Sequence, residues 1–125
     1  MHEMSLAQSL LDLAVKHAQG QPIQALRVRV GALSGVVGDS LAFCFDFVSK
    51  GTLAEGARLI LEPVPVPLRC RACRAATTTA RHADLPGYEA VSLALEEGCP
   101  ICGGKALDVV GGADFQLVEI EVKDG

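Results

Sequence analysis

Two Cys-x-x-Cys pairs constrain this chain more than any other feature of its sequence. Cys70 and Cys73 form the first pair, Cys99 and Cys102 form the second, and 25 residues separate the two pairs. Two such pairs complete the tetrahedral shell of four thiolates that is typical of structural zinc sites. Gly103 directly follows the second pair and suits a tight knuckle, because glycine tolerates a positive φ. The pattern predicts a closed zinc site with no open position for a substrate.

Other chemistry remains open for these cysteines on the sequence alone. They could form two disulfides, or one redox pair with two further thiols. Disulfides need an oxidising compartment, and the opening Met1-His2-Glu3 with periodic apolar residues after it does not resemble a secretory signal. The longest apolar run also falls short of the ~18 residues of a membrane span. We therefore expect a cytoplasmic protein with no membrane partner.

Two rival functions follow from residues around the cysteines. A zinc ribbon that binds nucleic acid, or that serves as a protein-interaction module, is the alternative function, and its best evidence is the group Arg69, Arg71, Arg74 and Arg81. A net charge of −4 and only five aromatic residues argue against nucleic acid as a partner. A zinc enzyme could use His82 and Glu89, but four cysteines leave no site for a reacting water. We predict that the chain is not an enzyme.

Hydrophobic periodicity predicts an α+β fold in which two helices pack on a small three-stranded sheet. Helical spacing of apolar residues places the helices over 4–19 and 40–50, and alternation places the strands over 23–30, 57–64 and 115–122. The second helix is expected to be largely buried, because its apolar residues cover most of its circumference: Leu41, Phe43, Cys44, Phe45, Phe47 and Val48. Cys44 is interpreted as a core residue.

Charges on the first and last strands predict that these strands are neighbours. Arg27 and Arg29 lie on one face of the strand over 23–30, and Glu119 and Glu121 lie on one face of the last strand. If the strands are adjacent, these residues form cross-strand ion pairs, each worth only ~0.2–1 kcal/mol.

The domain organisation is predicted to be discontinuous. Pro63, Pro65 and Pro67 alternate with valines, which makes a stiff, extended spacer before Cys70. We therefore predict an α+β domain over residues 1–66 plus 112–125, and an inserted zinc-ribbon domain with four cysteine ligands over 67–111. Within the insert, residues 88–95 are interpreted as a strand, with a helix as the alternative.

The N-terminus offers a second metal site. A bulky second residue generally blocks removal of the initiator methionine, so Met1 should keep its α-amine. That amine, the His2 amide nitrogen and the His2 imidazole can close two fused chelate rings on one ion, and such nitrogen donors suit Ni²⁺ or Cu²⁺. Glu3 could add a donor or support the site indirectly. On the residues alone, a terminal histidine that binds no metal is the competing interpretation, and His17 and His82 are the next candidates for nickel.

Several segments resemble the HypA/HybF family of nickel metallochaperones of hydrogenase maturation. The resemblance runs nearly end to end and includes the two cysteine pairs and the phenylalanine-rich second helix. Its other motifs are Met1-His2-Glu3-Met4-Ser5-Leu6, Val30-Gly31-Ala32-Leu33-Ser34-Gly35-Val36, and Gly112 followed by Val118-Glu119-Ile120-Glu121-Val122. The terminal tripeptide together with the late four-cysteine module makes the resemblance specific.

The resemblance implies roles for both candidate sites. It implies that Met1, His2 and Glu3 hold Ni²⁺ as transported cargo, and that the four cysteines hold structural Zn²⁺. It also implies delivery of nickel to the large subunit of [NiFe] hydrogenase, with a HypB-type GTPase as partner, and in some members service to urease. A homodimer is one assembly that the resemblance allows.

Overall fold

A computed structural model describes residues 2–123 of the chain, and these residues divide into two compact units. The first unit comprises the described parts of Met1–Arg29, Val36–Glu62 and Phe115–Gly125, and the second comprises Val30–Gly35 and Pro63–Asp114. Most of the second unit lies, in sequence, between strands of the first. Compact units are not by themselves independently folding domains, so the domain boundaries given above stay a prediction.

The secondary structure is α+β, as the periodicity predicts. In chain order the elements are α1 (His2–Ala18), β1 (Ile23–Gly31), α2 (Gly38–Ser49), β2 (Arg58–Val64), β3 (Pro67–Cys70), β4 (Ala76–Thr78), a 3-10 turn (Ala80–His82), α3 (Gly87–Glu97), β5 (Leu107–Val109) and β6 (Phe115–Val122). Across residues 2–123, no helix has the length and apolar character needed to cross a membrane.

The core of the first unit lies between two helices and a sheet. On α1 the buried residues recur every three or four positions, which puts them on one face of the helix, and on α2 Leu41, Cys44 and Phe45 are buried. The core role predicted for Cys44 is confirmed, since its side chain is 3% exposed. α1 starts at His2, two residues earlier than predicted.

The first unit's sheet has the strand order β2-β1-β6. The predicted adjacency of the first and last strands is therefore confirmed. Arg27 Nε lies 3.5 Å from Glu119 Oε1, and the same arginine reaches Glu62 on β2, with 3.5 Å between Arg27 Nη1 and Glu62 Oε2. All three side chains are well exposed, so these ion pairs add little to stability and mainly favour the observed register.

The second unit is built on a separate antiparallel sheet with the strand order β4-β3-β5. In its register Cys70 pairs with Leu107, and Arg69 pairs with Asp108. β3 begins at Pro67, the last proline of the proline-valine segment, and carries Cys70, the first metal-ligand candidate, at its end. The buried core of the second unit is small and apolar and includes two of the cysteines. Its residues are Val66, Leu68, Cys70, Ala94, Cys99 and Leu107.

The strand predicted over 88–95 is wrong, because this segment is helix α3. Pro86 precedes the helix in an extended conformation, and Glu89 lies in the first turn, where a negative charge suits the helix dipole. Ala90 and Ala94, spaced by one turn, are each 3% exposed, and Ala94 belongs to the core of the second unit. The helical alternative is the correct one, since this spacing buries both alanines on one side.

The prediction that α2 is largely buried is also wrong. Phe43 is 73% exposed and Phe47 is 61% exposed, although Phe45 between them is only 2% exposed. Residues 43 and 47 are one helical turn apart and share the face opposite the core. α2 therefore has an apolar stripe on each of two faces, and only one of them is covered within its unit.

Candidate metal sites

The four cysteines meet in one cluster, as their spacing predicts. Their sulfur atoms all lie within 4.8 Å of one another. The Sγ atoms of Cys70 and Cys102 are 3.7 Å apart, and those of Cys73 and Cys99 are 3.6 Å apart. Tetrahedral coordination with metal–sulfur bonds of ~2.3 Å would separate the sulfurs by about 3.8 Å. The cluster therefore has the dimensions of a four-thiolate site for one metal ion.

The competing disulfide interpretation does not fit these distances. A disulfide joins its sulfurs at ~2.05 Å, and all five cysteines, including Cys44, are free thiols. Each of the two short sulfur–sulfur contacts joins one cysteine of the first Cys-x-x-Cys pair to one cysteine of the second pair. This arrangement brings two knuckles to one centre.

In both knuckles the residue after the second cysteine has a positive φ, although only the second knuckle has a glycine there. Gly103, directly after Cys102, has φ +76°, as expected from the tolerance of glycine for this region. Arg74 occupies the matching position after Cys73 and has φ +64°. The amide of Gly104 donates to Cys102 Sγ at 3.4 Å. The first knuckle thus holds a strained arginine where the second has an unstrained glycine.

The pKa values of three of the thiols are shifted by backbone N–H donors, by burial and by the neighbouring sulfur atoms. Donation from the Cys102 amide is the main reason that the pKa of Cys99 falls to about 7. The Cys73 amide similarly lowers the pKa of Cys70. At Cys73 the Ala75 amide favours the thiolate, but burial and the neighbouring sulfurs together outweigh it and raise the pKa to about 11. Four thiolates this close repel one another, so a divalent cation is the natural partner for the fully ionised cluster.

The N-terminal tripeptide is described from its second residue onward, and Met1 lies outside the described residues. His2 is exposed and is the first residue of α1. The Glu3 carboxylate accepts a hydrogen bond from the Val37 amide, with 3.3 Å between Glu3 Oε2 and the nitrogen. Val37 is the residue that precedes α2. Glu3 therefore holds the start of α1 against the start of α2. Because the donor is a backbone amide, the identity of residue 37 gives no sign of this contact in the sequence.

Among the described residues, the group that could hold a metal consists of the four cysteines and includes neither of the other histidines. His17 is exposed in the last turn of α1. His82 is largely buried, and its Nε2 lies 2.8 Å from Glu97 Oε1. The hydrogen bond from His82 is the main reason that the pKa of Glu97 is lowered, and Arg81 adds to it. His82 is therefore paired with Glu97 and not with Glu89, which is exposed on α3.

The arginines near the first knuckle are partly compensated by acidic residues. Arg71 Nε lies 3.4 Å from Asp108 Oδ2, and Arg81 Nη2 lies 3.3 Å from Glu97 Oε1. Arg69 is also opposite Asp108 in the sheet register. A surface on which arginines alternate with carboxylates is a poor match for a phosphate backbone.

The sequence as a whole is similar to a well-defined group of proteins. The family model described as "Hydrogenase/urease nickel incorporation, metallochaperone, hypA" matches residues 1–122. A hydrogenase maturation factor HypA of Geobacter sp. (strain M21) is 42% identical over 123 residues, which cover 98% of this chain and 100% of that protein. The factor of the same name from Streptomyces avermitilis is 37% identical over 129 residues, which cover 100% of this chain and 89% of that protein.

Solved structures give the same result for the fold. A solution structure of a HypA protein aligns with a TM-score of 0.66 at 25% identity and covers 98% of this chain and 97% of that one. The solution structure of the nickel metallochaperone HypA from Helicobacter pylori aligns with a TM-score of 0.58 at 19% identity and covers 96% of each chain. The latter similarity concerns the fold alone.

Proposed function

The chain belongs to the HypA family of nickel metallochaperones of hydrogenase maturation, and from this premise we propose that it binds Ni²⁺ at Met1, His2 and Glu3. It then delivers the ion to the large subunit of a [NiFe] hydrogenase, with a HypB-type GTPase as partner and urease as a second recipient. It acts as a carrier and not as an enzyme. A second copy of the chain is the remaining partner that we propose.

The observation that carries the nickel proposal is the position of His2 at the exposed start of α1. The first amides of a helix have no acceptor within the helix, so a metal can take the His2 amide nitrogen without breaking a helical hydrogen bond. The imidazole projects from an exposed residue and is free of core packing. Glu3, held by the Val37 amide at 3.3 Å, supports the tripeptide by limiting the motion of this end of α1.

An exposed site of nitrogen donors suits transport better than storage. Nitrogen ligands bind Cu²⁺ more tightly than Ni²⁺, so the choice of nickel must come from geometry, supply and the docked partner. Incoming ligands can attack an ion at an exposed chain end, which favours exchange. Loading requires loss of protons from the amide and from any protonated imidazole, so nickel affinity should fall as the pH is lowered.

For the four-cysteine cluster we propose a structural Zn²⁺. The sulfur separations of 3.6 and 3.7 Å match the tetrahedral edge, and four thiolates leave no position for a reacting water. Cys70 and Cys99 are buried in the apolar core of their unit, so the ion would tie the core to the two exposed knuckle cysteines. Free thiolates of this kind persist in a reducing compartment, which supports a cytoplasmic location.

A nickel titration with matched histidine variants tests the proposal. Wild type, His2→Ala, His17→Ala and a form with residues added before Met1 are titrated with Ni²⁺ near neutral pH, and zinc content is measured in parallel. His17 is the control, because it is also exposed and lies at the other end of the same helix. We expect His2→Ala and the extended form to lose nickel binding while zinc content is retained, and His17→Ala to behave as wild type. Equal nickel affinity in all four proteins would place the nickel elsewhere.

A further inference from the structure

The outer face of α3 carries an open groove, called here the α3 groove. Its six lining residues each lie three or four positions from another of the set: Leu85, Tyr88, Glu89, Ser92, Leu93 and Glu96. This spacing places the helical members on one side of α3, and Leu85 extends the row just before the helix begins. Ala90 and Ala94, on the opposite side, are each 3% exposed. The α3 groove therefore lies on the side of the helix that the second unit leaves uncovered.

The shape of the α3 groove suits a protein partner better than a small molecule. Its volume of about 380 Å³ falls within the range of small-molecule pockets, but such pockets bury most of the ligand. Tyr88, in the wall of the groove, is 76% exposed, so the groove does not enclose its contents. Ser92 lies one turn after Tyr88 and beside Leu93, and its small side chain leaves room for an apolar side chain from outside. Apolar positions at a helical period on an exposed face are typical of a surface that receives another helix.

The charge in the α3 groove is all negative. Glu89 and Glu96 line it, and none of the described residues that line it is basic. Within residues 2–123 neither carboxylate takes part in an ion pair, whereas that of Glu97 contacts His82. The last turn of α3 contains no basic residue, although the helix dipole favours a cation there. Lys105 donates to the Glu96 carbonyl and so compensates the backbone, but both lining carboxylates stay available to a cationic partner.

We propose that the α3 groove docks a basic amphipathic helix of a partner protein. An apolar side chain of that helix packs over Ser92, between Tyr88 and Leu93, and two of its lysine or arginine side chains pair with Glu89 and Glu96. These carboxylates are seven residues apart, about 10 Å along α3, so basic residues at positions i and i+7 of the partner helix match them, with the apolar residue at i+3 or i+4. This goes beyond the proposed function, because it gives the second unit a docking role that holds whether or not nickel binds at the N-terminus.

The helices of this chain do not have the required pattern, which favours a different protein over a second copy. Within the three described helices, α2 and α3 contain no lysine or arginine, and α1 contains only Lys16. No such helix can present two lysine or arginine residues seven positions apart. A groove lined by carboxylates also repels nucleic acid and acidic segments, so complementary charge selects a basic partner.

A peptide titration of the zinc-loaded full chain tests the α3 groove. The probe is a synthetic helical peptide with arginine at i and i+7 and leucine at i+4, and the matched peptide has glutamate in place of both arginines. Binding is followed by NMR at the backbone amides. We expect the arginine peptide to shift the amides of Ser92 and Leu93 and to bind more tightly than the glutamate peptide by about 10-fold. Absence of binding, equal affinity of the two peptides, or shifts confined to residues outside α3 overturns the proposal.

Charge variants of the chain test the two ion pairs. Glu89→Gln/Glu96→Gln should weaken binding of the arginine peptide by about 10-fold, since it removes two exposed pairs. Glu121→Gln is a control for altered net charge, because Glu121 is exposed on β6 in the first unit, and it should bind as wild type does. Glu89→Lys/Glu96→Lys should reverse the preference and bind the glutamate peptide more tightly. A reversed variant that still prefers the arginine peptide overturns the assignment of the carboxylates.

An apolar variant tests the contact between the two carboxylates. Tyr88→Ser should weaken binding of the arginine peptide about 5-fold, because it removes one wall of the groove, and the high exposure of Tyr88 leaves the fold intact. Leu95→Ser is the matched control, since Leu95 is 38% exposed on the same helix but does not line the groove. An equal loss of affinity in the two variants overturns the assignment of the apolar contact.

Two further measurements distinguish a second copy and the nickel proposal. The Ser92 and Leu93 amides are recorded without peptide at increasing chain concentration, and shifts that depend on concentration overturn the assignment to a different protein. His2→Ala should bind the arginine peptide as wild type does, and that result supports the groove even if the nickel proposal fails. Glu89→Gln/Glu96→Gln should keep wild-type nickel binding and zinc content; loss of either overturns the independence of the groove from the metal sites.

Discussion

Replacing Gly87 by alanine sets two opposing effects against each other. Gly87 is the first residue of α3, where alanine is the better helix former and restricts the unfolded chain more than glycine does. These effects would stabilise the second unit by about 0.5–1 kcal/mol. A Cβ at this position, however, would lie 2.1 Å from the Ala32 carbonyl oxygen and 2.8 Å from its carbon, whereas real Cβ atoms essentially never come within 3.0 Å of a heavy atom.

The steric clash with Ala32 should outweigh the stabilisation that alanine provides. The obstructing atoms belong to the backbone, so no side-chain rotation relieves the contact, and either α3 or the segment that contains Ala32 must move. Overpacking of this kind costs about 1–3 kcal/mol, and we place Gly87→Ala near the upper end because the backbone itself must shift. After the gain from alanine is subtracted, the net loss is about 2 kcal/mol, or a roughly 30-fold change in the equilibrium for opening the second unit.

Amide hydrogen exchange measures the opening at a defined bond. The Ala90 amide donates to the Pro86 carbonyl at 2.9 Å in the first turn of α3, and the Leu41 amide donates to the Val37 carbonyl at 2.9 Å in the first turn of α2. We expect Ala90 to exchange roughly 30-fold faster in zinc-loaded Gly87→Ala than in wild type, if its opening is that of the whole unit.

Gly38→Ala is the matched control for this experiment. Gly38 is also the first residue of a helix, but a Cβ there would meet only the Leu61 Cδ1 methyl, at 3.3 Å. A flexible side chain can yield by a few tenths of an ångström, so exchange at Leu41 should be unchanged or slower. Unchanged or slower exchange of Ala90 in Gly87→Ala would refute the reasoning, because the close approach of Ala32 would then impose no constraint.

Three further predictions concern the second unit. Cys73→Ser should lose zinc and unfold the unit, because a ligand that contributes to the metal site contributes to folding; retention of one zinc equivalent would contradict the ligand assignment. Arg74→Gly should raise the stability of the zinc-loaded protein by about 0.5–1 kcal/mol in urea unfolding, since relief of the strain at φ +64° exceeds the entropy cost of glycine; a less stable variant would show that the arginine side chain contributes more than its backbone costs. The pKa of Glu97 is lowered, mainly by His82, so its carboxylate stabilises the fold above the ordinary glutamate pKa and loses this effect as the pH falls through the lowered value. Glu97→Gln should therefore lower the urea midpoint near neutral pH but not in acid, and an equal difference at both pH values would argue against an electrostatic role.

The sequence by itself determined the features that depend on residue spacing. The two helices of the first unit, its three strands and the convergence of the four cysteines follow from periodicity and from ligand spacing. The pairing of Arg27 with Glu119 could also be predicted, because alternation assigns each charge to a face and opposite charges favour neighbouring strands. Such patterns are local, and a chain that carries them has few ways to satisfy them.

Tertiary structure decided the features that depend on which surface is covered. The segment over 88–95 has residues compatible with a strand or a helix, and the core of the second unit selects the helix by burying Ala90 and Ala94 together. Phe43 and Phe45 are of the same residue type and almost adjacent, yet one is 73% exposed and the other 2% exposed. No spacing rule distinguishes them, since the difference depends on where α1 and the sheet lie against α2.

Backbone contacts were the least accessible to sequence reasoning. Two backbone groups illustrate this: the Val37 amide, which binds Glu3, and the Ala32 carbonyl, which excludes a side chain at Gly87. An alanine or a valine carries the same amide and carbonyl wherever it occurs in a chain. Their importance arises only because the fold brings distant segments together, and residue type does not encode that meeting.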